Sequence, residues 1–446
     1  MRRPTISRRT LLKSGIAGAV ASPMLNLTTA FSQSESFNWK RFQGQNIEVS
    51  LTRTPRSETQ KRYLAEFQSL TGIKVGLEEI PEQQHRQKIV IEFNSGKPNF
   101  DVASLSYSVQ KRQLARGKWL ANVEPMLGDR SLTPPDWDRA DFSQRGLEYA
   151  TDDGRLTSLP LSADYWLLYW NKDLFNAKGV AYPKSIADIV TAAAKLHDPT
   201  NGISGIVARG LRNANVPVWT QLLLGYGQET TTGTPPKLAT TTEDAVAAAT
   251  IYQTLLKASG PQGVSGFNWN EAQSLFAQGR AAMWIDGVGF APPLEDAKRS
   301  RIVGKVGYGV FPPGPKAHHA NVFGDGIGIA AASSKKEAAF LYCLWVTSKT
   351  MCNRLLQTGS GVPFRNSSLV DKETLAALTV PKDWADCVRG SAEIARTGLP
   401  NIVPVTEFRD TFGAALTNMI GGADPAAELK KATDEFGPVL DRSEQS

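Results

Sequence analysis

Two short segments, Ile47-Glu48-Val49-Ser50-Leu51 and Ile73-Lys74-Val75-Gly76-Leu77, alternate apolar and polar residues around a helical stretch. Strand, helix and strand within about 30 residues make a βαβ unit, which joins parallel strands and needs helices to cover the sheet. That spacing constrains the chain more than any other feature. The intervening helix is predicted over residues 57–71, with Tyr63, Leu64, Phe67 and Leu70 on one stripe and Gly72 as its stop. A helix over 83–95 ends at Gly96 and Pro98, a strand follows at 100–105, and a further helix carries Leu114. This first half reads as α/β.

The pattern continues beyond the turn at Asp152-Asp153-Gly154. Residues 156–161 contain Pro160 and read as an edge strand or crossover, because proline cannot donate to a sheet ladder. Residues 165–170 (Tyr-Trp-Leu-Leu-Tyr-Trp) read as a strand, with Tyr169 and Trp170 in the core. Helices are predicted over 185–196, 243–258 and 270–278, and strands over 281–285, 306–311 and 327–332. Residues 230–242 are rich in Thr, Gly and Pro and read as loop; Pro312-Pro313-Gly314-Pro315 reads as a stiff linker. Ser334-Lys335-Lys336-Glu337 has the form of a capping box opening a helix through Trp345. The C-terminal part reads as helices over 383–396, 405–420 and 424–440.

The N-terminus reads as an address and not as fold. Ser7-Arg8-Arg9-Thr10-Leu11-Leu12-Lys13 precedes a weakly apolar run, and Thr28-Thr29-Ala30 supplies a small-x-small cleavage site. Residues 1–30 are thus expected to be a bacterial export signal whose paired arginines match the twin-arginine pattern, with the twin-arginine translocase as the partner in export. No cysteine follows the apolar run, so a lipid anchor is not indicated. The formal charge of the 446-residue chain, +7, owes five cations to this segment; the rest carries about +2, too little for a nucleic-acid footprint. Beyond it no apolar run approaches the ~18 residues of a membrane span. Cys343, Cys352 and Cys387 are odd in number and form no disulfide framework.

Reactive motifs are scarce. Gly324-Asp325-Gly326-Ile327-Gly328 resembles a dinucleotide loop, but these glycines are followed by a strand where that chemistry needs a helix N-terminus. Asp152 and Asp153 sit on a glycine turn and point apart, which does not suit a glycosidase pair. His318-His319 does not complete a metal site, and no Gly-x-Ser-x-Gly elbow is present. No cofactor and no catalytic residue is expected, so the chain reads as a binder and not as an enzyme.

What remains is a set of aromatic and polar residues near strand ends and loops, where α/β sheets bind ligands. They are Thr54 and Arg56 beside Arg53, Ser106 and Tyr107, and Asp164 and Tyr165 beside Trp166. Arg209, Trp219, Trp284 and Asp286 follow, with Trp269, and then Asp325 and Arg365. Flat aromatic faces can cover the C–H faces of a sugar while carboxylates and arginines take its hydroxyls. A polyhydroxylated ligand needs both, since each buried hydroxyl left unpaired costs about 1–3 kcal/mol.

Several blocks in order resemble the extracellular solute-binding proteins of family 1, the sugar-binding subunits of ABC importers. Phe67-Gln68-Ser69-Leu70-Thr71-Gly72-Ile73-Lys74-Val75 is similar to "F-x-x-x-T-G-I-K-V", and Leu168-Tyr169-Trp170-Asn171-Lys172-Asp173-Leu174-Phe175 to "L-Y-Y-N-K-D-L-F". Asn99-Phe100-Asp101-Val102 resembles "P-D-V", Phe276-Ala277-Gln278-Gly279-Arg280-Ala281-Ala282-Met283 resembles "F-x-x-G-K-A-A-M", and Phe311-Pro312-Pro313-Gly314-Pro315 resembles "P-x-G-P". The resemblance implies an α/β fold of two lobes, each a mixed, mostly parallel sheet flanked by helices, joined by a multi-strand hinge. It implies an N-terminal lobe of residues 45–160 plus 321–347 and a C-terminal lobe of 163–317 plus 350–446, crossing near 160–163, 317–321 and 347–350.

It further implies a periplasmic, soluble monomer that captures a monosaccharide, sugar alcohol or small oligosaccharide between its lobes and delivers it to inner-membrane ABC permease subunits. Asp286-Gly287 matches the family's Asp/Asn-Gly, but Val288-Gly289-Phe290 follows where many members have a stacking Trp, and Asp325 stands where Trp often does. These departures argue against a maltose-like ligand. Gly205-Ile206-Val207-Ala208-Arg209-Gly210 looks like the subset associated with sugar alcohols and small monosaccharides. The alternatives are an exported cofactor-dependent redox enzyme and a secreted polysaccharide hydrolase.

Overall fold

The alternation of the first βαβ unit produces the structure it implies. In the computed structural model, which describes residues 36–445, β1 (Asn46–Thr52) buries Ile47, Val49 and Leu51. The export signal read at residues 1–30 lies outside the described residues. β2 (Lys74–Ile80) runs parallel to β1, in register from Asn46↔Lys74 to Thr52↔Ile80. Between them the single predicted helix is two: α1 (Pro55–Arg62) and α2 (Leu64–Thr71), separated at Tyr63. The apolar stripe belongs to α2 alone, where Phe67 is fully buried but Leu70 is 40% exposed. α1 instead buries polar Ser57, Thr59 and Gln60, so an apolar period could not have revealed it.

α3 (Glu82–Asn94) leads to β3 (Val102–Ser106), parallel to β1, and α4 (Tyr107–Gly117) follows directly. The Asp153-Gly154 turn closes a small hairpin of β4 (Thr151–Asp152) and β5 (Arg155–Leu156).

β6 (Leu159–Asn171) is one 13-residue strand that contains Pro160; there it pairs with β11 on one side, so the reading of this segment as an edge or crossover holds, within a longer strand. The proline is tolerated because it adjoins a bulge: Asp325 opposes Ser162 while Gly326 opposes Pro160, leaving Leu161 extra. The loop at 230–242 contains a second small hairpin, β7 (Thr231–Thr232) and β8 (Lys237–Leu238). β9 (Met283–Gly287), β10 (Val306–Val310) and β11 (Ala320–Ile329) complete the long strands. β11 begins seven residues before the predicted strand at 327, so its glycines lie inside the strand. Their reason is steric: a Cβ on Gly326 would stand 1.9 Å from the Tyr107 hydroxyl oxygen, and one on Gly324 would stand 2.6 Å from the Tyr149 ring.

The strand order is β10-β6-β11-β3-β1-β2, with β9 also paired to β6. The first half of β6 pairs antiparallel with β11, from Leu159↔Ile327 to Tyr165↔Val322. From Trp166 onward it lies between β9 and β10. One strand therefore passes from the first lobe's sheet into the second's. The second lobe gains parallel bridges from segment 204–207, to Ala281 just before β9 at Ser204 and to β9 at Val207↔Trp284. Both faces of this half of β6 are covered. Trp166 and Leu168 join one apolar core with Trp219 and Phe412, while Leu167 and Tyr169 join another with Trp284 and Trp384. That is why the segment is apolar at both parities.

One expectation fails locally. Ser334 caps nothing: the N-cap of the helix Lys336–Val346 is Lys335, whose N–H donates to the Ser333 hydroxyl. An additional helix, Lys349–Gln357, is capped by Ser348. Cys343, Cys352 and Cys387 are buried free thiols. No helix among the described residues is long and apolar enough to cross a membrane.

Candidate functional site

The carboxyl ends of β1 and β3, the starts of α1 and α3, and the switch region of β6 and β11 converge on one cleft. The second lobe covers it. The cavity at its centre is small, about 80 Å³, and opens into wider solvent-filled space.

Each charged wall residue is placed by local structure. Thr54 opens α1 with a capping box to Ser57, which fixes the helix start and places Arg56 in its first turn. From there Arg56 reaches Asp325 at 2.6 Å and Asp164 at 3.9 Å. Asp164 Oδ1 also accepts the Gly289 N–H at 2.9 Å, a contact from the second lobe. Arg209 lies in a segment whose glycines fit against backbone: a Cβ on Gly205 would meet the Ala193 carbonyl at 1.9 Å and one on Gly210 the Val264 carbonyl at 2.1 Å. Its guanidinium holds Asp286 in a two-pronged pair, Nε to Oδ2 at 2.9 Å and NH2 to Oδ1 at 2.5 Å. It also stands 3.5 Å from Glu82, at the start of α3 in the first lobe. The Trp166 and Phe290 rings flank it, with centroids 5.5 and 5.6 Å away.

Burial and charge decide protonation. Burial acts to raise Glu82, but Arg86, Arg209, Arg409 and Arg56 outweigh it and hold the carboxyl at about 2. Burial raises Asp286 and Asp325 against the opposing pull of Arg209 and Arg56 respectively. Asp164 is pushed up to about 6, mainly by burial, with Arg56 and the Gly289 N–H only partly compensating. An unfolded aspartate titrates near 3.9, so the folded state binds more protons between about pH 4 and 6. The stability contributed by protonated Asp164 is present below about pH 4 and lost as pH rises through about 6. D164N should therefore raise the melting temperature at pH 7.5, and that advantage should shrink towards pH 5. Melting curves at the two pH values check this; an advantage independent of pH would rule out a buried, ionised Asp164.

Of the residues picked from sequence, Thr54, Arg56, Ser106, Asp164, Arg209 and Asp325 line the cleft. Asp286 is fully buried behind it and acts through Arg209. Arg53, Trp269 and five others do not line it. Tyr107 is buried beneath β11, its hydroxyl bonded to Ser158 at 2.8 Å. Tyr165 is half-buried outside the cleft. Trp219 is a core residue, its Nε1 donating to the Ala245 carbonyl and its ring stacked on Phe412. Trp284 is likewise core, stacked on Tyr169 at 4.5 Å. Trp219 sits inside a helix, Val216–Leu224, that is buried along its whole length, and Trp284 lies on a face of β9 covered by Phe276 and Trp384. Arg365 is fully buried among backbone carbonyls near Trp137 and Thr347.

Glu82, Arg86 and Arg409 are cleft residues that sequence reasoning missed, and Phe290 and Phe323 join Trp166 as its aromatic surface. Phe290 supplies an aromatic face that the absent Trp at 288 had seemed to remove. Glu82 had a signal, since it opens α3 with one residue between it and β2, and pairs with Arg86 one turn on at 2.6 Å. Arg409 had one too: it interrupts the apolar face of Val405, Phe408, Phe412 and Leu416.

The chain matches the family model for bacterial extracellular solute-binding proteins over residues 53–351. It is 28% identical over 379 residues to a probable amino-acid ABC transporter periplasmic-binding protein of Sinorhizobium fredii, covering 80% of this chain and 82% of the relative. It is 24% identical over 466 residues to an erythritol/L-threitol-binding protein of Mycolicibacterium smegmatis, covering 95% of each. Among solved structures, an ABC transporter solute-binding protein of Agrobacterium radiobacter in complex with ribitol superposes with a TM-score of 0.81 at 25% identity, covering 89% of this chain and 99% of the other. The α/β lobes, the strand that passes between them and the cleft at the strand ends accord with that match: the chain belongs to the bacterial extracellular solute-binding protein family.

Proposed function

We propose that the cleft captures a small polyhydroxylated solute, such as a sugar alcohol, monosaccharide or small oligosaccharide, and that the loaded protein delivers it to the permease of an ABC importer. The observation that carries this reading is the combination of charged hydrogen-bonding groups (Arg56, Asp164, Asp325, Arg209) with the aromatic faces of Trp166, Phe290 and Phe323 in one cleft. Carboxylates and guanidiniums pair with hydroxyls, and the rings cover C–H surface. The erythritol/L-threitol-binding relative and the ribitol complex support the polyol class. Binding without chemistry accounts for these groups, and the redox and hydrolase readings find no support in the relatives.

Closure is the proposed mode of capture. Contacts bridging the cleft, Arg209 to Glu82 and Gln83 to the Arg212 carbonyl at 3.3 Å, belong to the closed form. A solute shifts an open–closed equilibrium only by its differential affinity for the closed state. The lobe boundaries proposed are those given above, 45–160 plus 321–347 and 163–317 plus 350–446. The change of β6 partners and the long pairing of β6 with β11 support crossings in those regions. Export through the twin-arginine translocase to the periplasm, as an unanchored monomer, completes the reading.

The test uses residues 31–446 with tryptophan fluorescence and melting temperature against tetritols, pentitols, hexitols, monosaccharides and disaccharides. A ligand at 100 times its Kd adds about 2.7 kcal/mol, which should raise the melting temperature by about a degree or more. A saturable response with the solute recovered unchanged is expected. Silence across the whole panel would sink the polyhydroxylated class.

A further inference from the structure

The charges of the cleft do not pair off evenly. Arg56 faces two carboxylates, Asp164 and Asp325. At the other end, Glu82 is shared between Arg86 and Arg209, and Asp286 is taken by both prongs of Arg209. A fourth cation, Arg409, lines the same cleft and is 3% exposed. Among the described residues no hydrogen bond or ion pair holds it, and its Nε is buried without a partner. Burial and the like charges of Arg86 and Arg209 lower it to about 9 despite Glu82 and Asp410.

A buried guanidinium with no acceptor is costly to fold, and an aliphatic residue would suit the apolar face of its helix better. The groups that would repay it are acceptors brought by the solute. Arginine presents a planar fork of donors that matches a carboxylate or phosphate. A neutral polyol offers hydroxyls, which the Asp164 and Asp325 end already accommodates.

We propose that the solute is anionic: a polyhydroxylated chain ending in a carboxylate or phosphate that seats on Arg409, with its hydroxyls towards Arg56, Asp164 and Asp325. This rests on the reading of the cleft as a site for polyhydroxylated solutes. It narrows that class to sugar acids or alditol phosphates.

The experiment compares solutes of equal carbon number by titration calorimetry: ribitol, ribonate and ribitol 5-phosphate, then mannitol, mannonate and mannitol 1-phosphate. An acidic member should bind at least about tenfold tighter than its neutral partner, the equivalent of about 1.4 kcal/mol. The member that wins distinguishes carboxylate from phosphate. In R409Q the preference should fall below about threefold, while R409K should keep part of it. The unliganded R409Q protein should melt no lower than wild type, because an unpaired buried charge has been removed.

Neutral alditols binding as tightly as their acidic partners would overturn the inference and leave the polyol reading intact. Failure of every neutral and acidic member to bind would overturn that reading as well. R409Q that melts several degrees lower or does not fold would show Arg409 to be a structural cation, and would also overturn the inference.

Discussion

R209A is expected to weaken solute binding between about ten- and a hundredfold, the loss of charge-assisted hydrogen bonds worth about 1.5–3 kcal/mol. It should also destabilise the free protein by roughly 3–5 kcal/mol, because breaking a buried pair strands the remaining charge. The stranded group is Asp286, fully buried and left with only the Gly287 N–H at 2.8 Å. Glu82 loses one of its cations across the cleft, and the Trp166 and Phe290 faces lose the guanidinium between them. A double replacement, R209L with D286L, removes both charges and should recover much of the stability, since a well-packed apolar pair can equal a buried ion pair. It should recover none of the affinity. Calorimetric titration and thermal melts on the single and double variants separate the two effects. D325A should also lose more than about tenfold, since it leaves Arg56 with only the distant Asp164. Near-wild-type affinity in both R209A and D325A would place the site elsewhere.

The parts of this molecule that were legible from sequence are those where one period governs a segment. β1 and the helices near 185, 243 and 405 bury one face and show it, and β2 half-buries its own. Legibility ends where burial stops following apolar periods. α1 buries serine, threonine and glutamine because it forms a cleft wall, and Pro160 enters a long strand because a bulge beside it relieves the ladder. The same division runs through the site. Arg56, Asp164, Arg209 and Asp325 were legible because they stand beside strand ends or in family-like blocks. Glu82 and Arg409 carried only weak local signals, an ion pair one turn along and a charge on an apolar face, and it is the tertiary packing of α3 and a C-terminal helix that brings them into the site. Tryptophan misled for the converse reason. Its large apolar ring suits a core as well as a sugar face, and at 219 and 284 the covering helices decide for the core.

Arg365 turns that ambiguity into a prediction. Its guanidinium is fully buried and saturated: Nε donates to the Thr347 carbonyl at 2.6 Å, NH1 to the Asp138 carbonyl and to Asp141, and NH2 to the Trp137 carbonyl. It also lies over the Phe142 ring at 4.2 Å. Asp141 completes the knot by accepting the Ser367 N–H and hydroxyl. One side chain thus ties segment 137–142 to the end of the helix Lys336–Val346, away from the cleft walls. R365M would leave the buried Thr347 and Trp137 carbonyls, the partly buried Asp138 carbonyl and the Asp141 carboxylate short of donors, at a cost of roughly 3–5 kcal/mol. For a chain of this size that corresponds to a fall in melting temperature of about 5 °C. R365K should recover little, because an ammonium cannot span donors arranged around a planar fork. Affinity measured well below the transition should stay within about threefold of wild type, since the residue touches no cleft group; a threefold change is only about 0.65 kcal/mol. The opposite pattern, an unchanged melting temperature with lost affinity, would return Arg365 to the binding site and require a different path for the chain between residues 347 and 365.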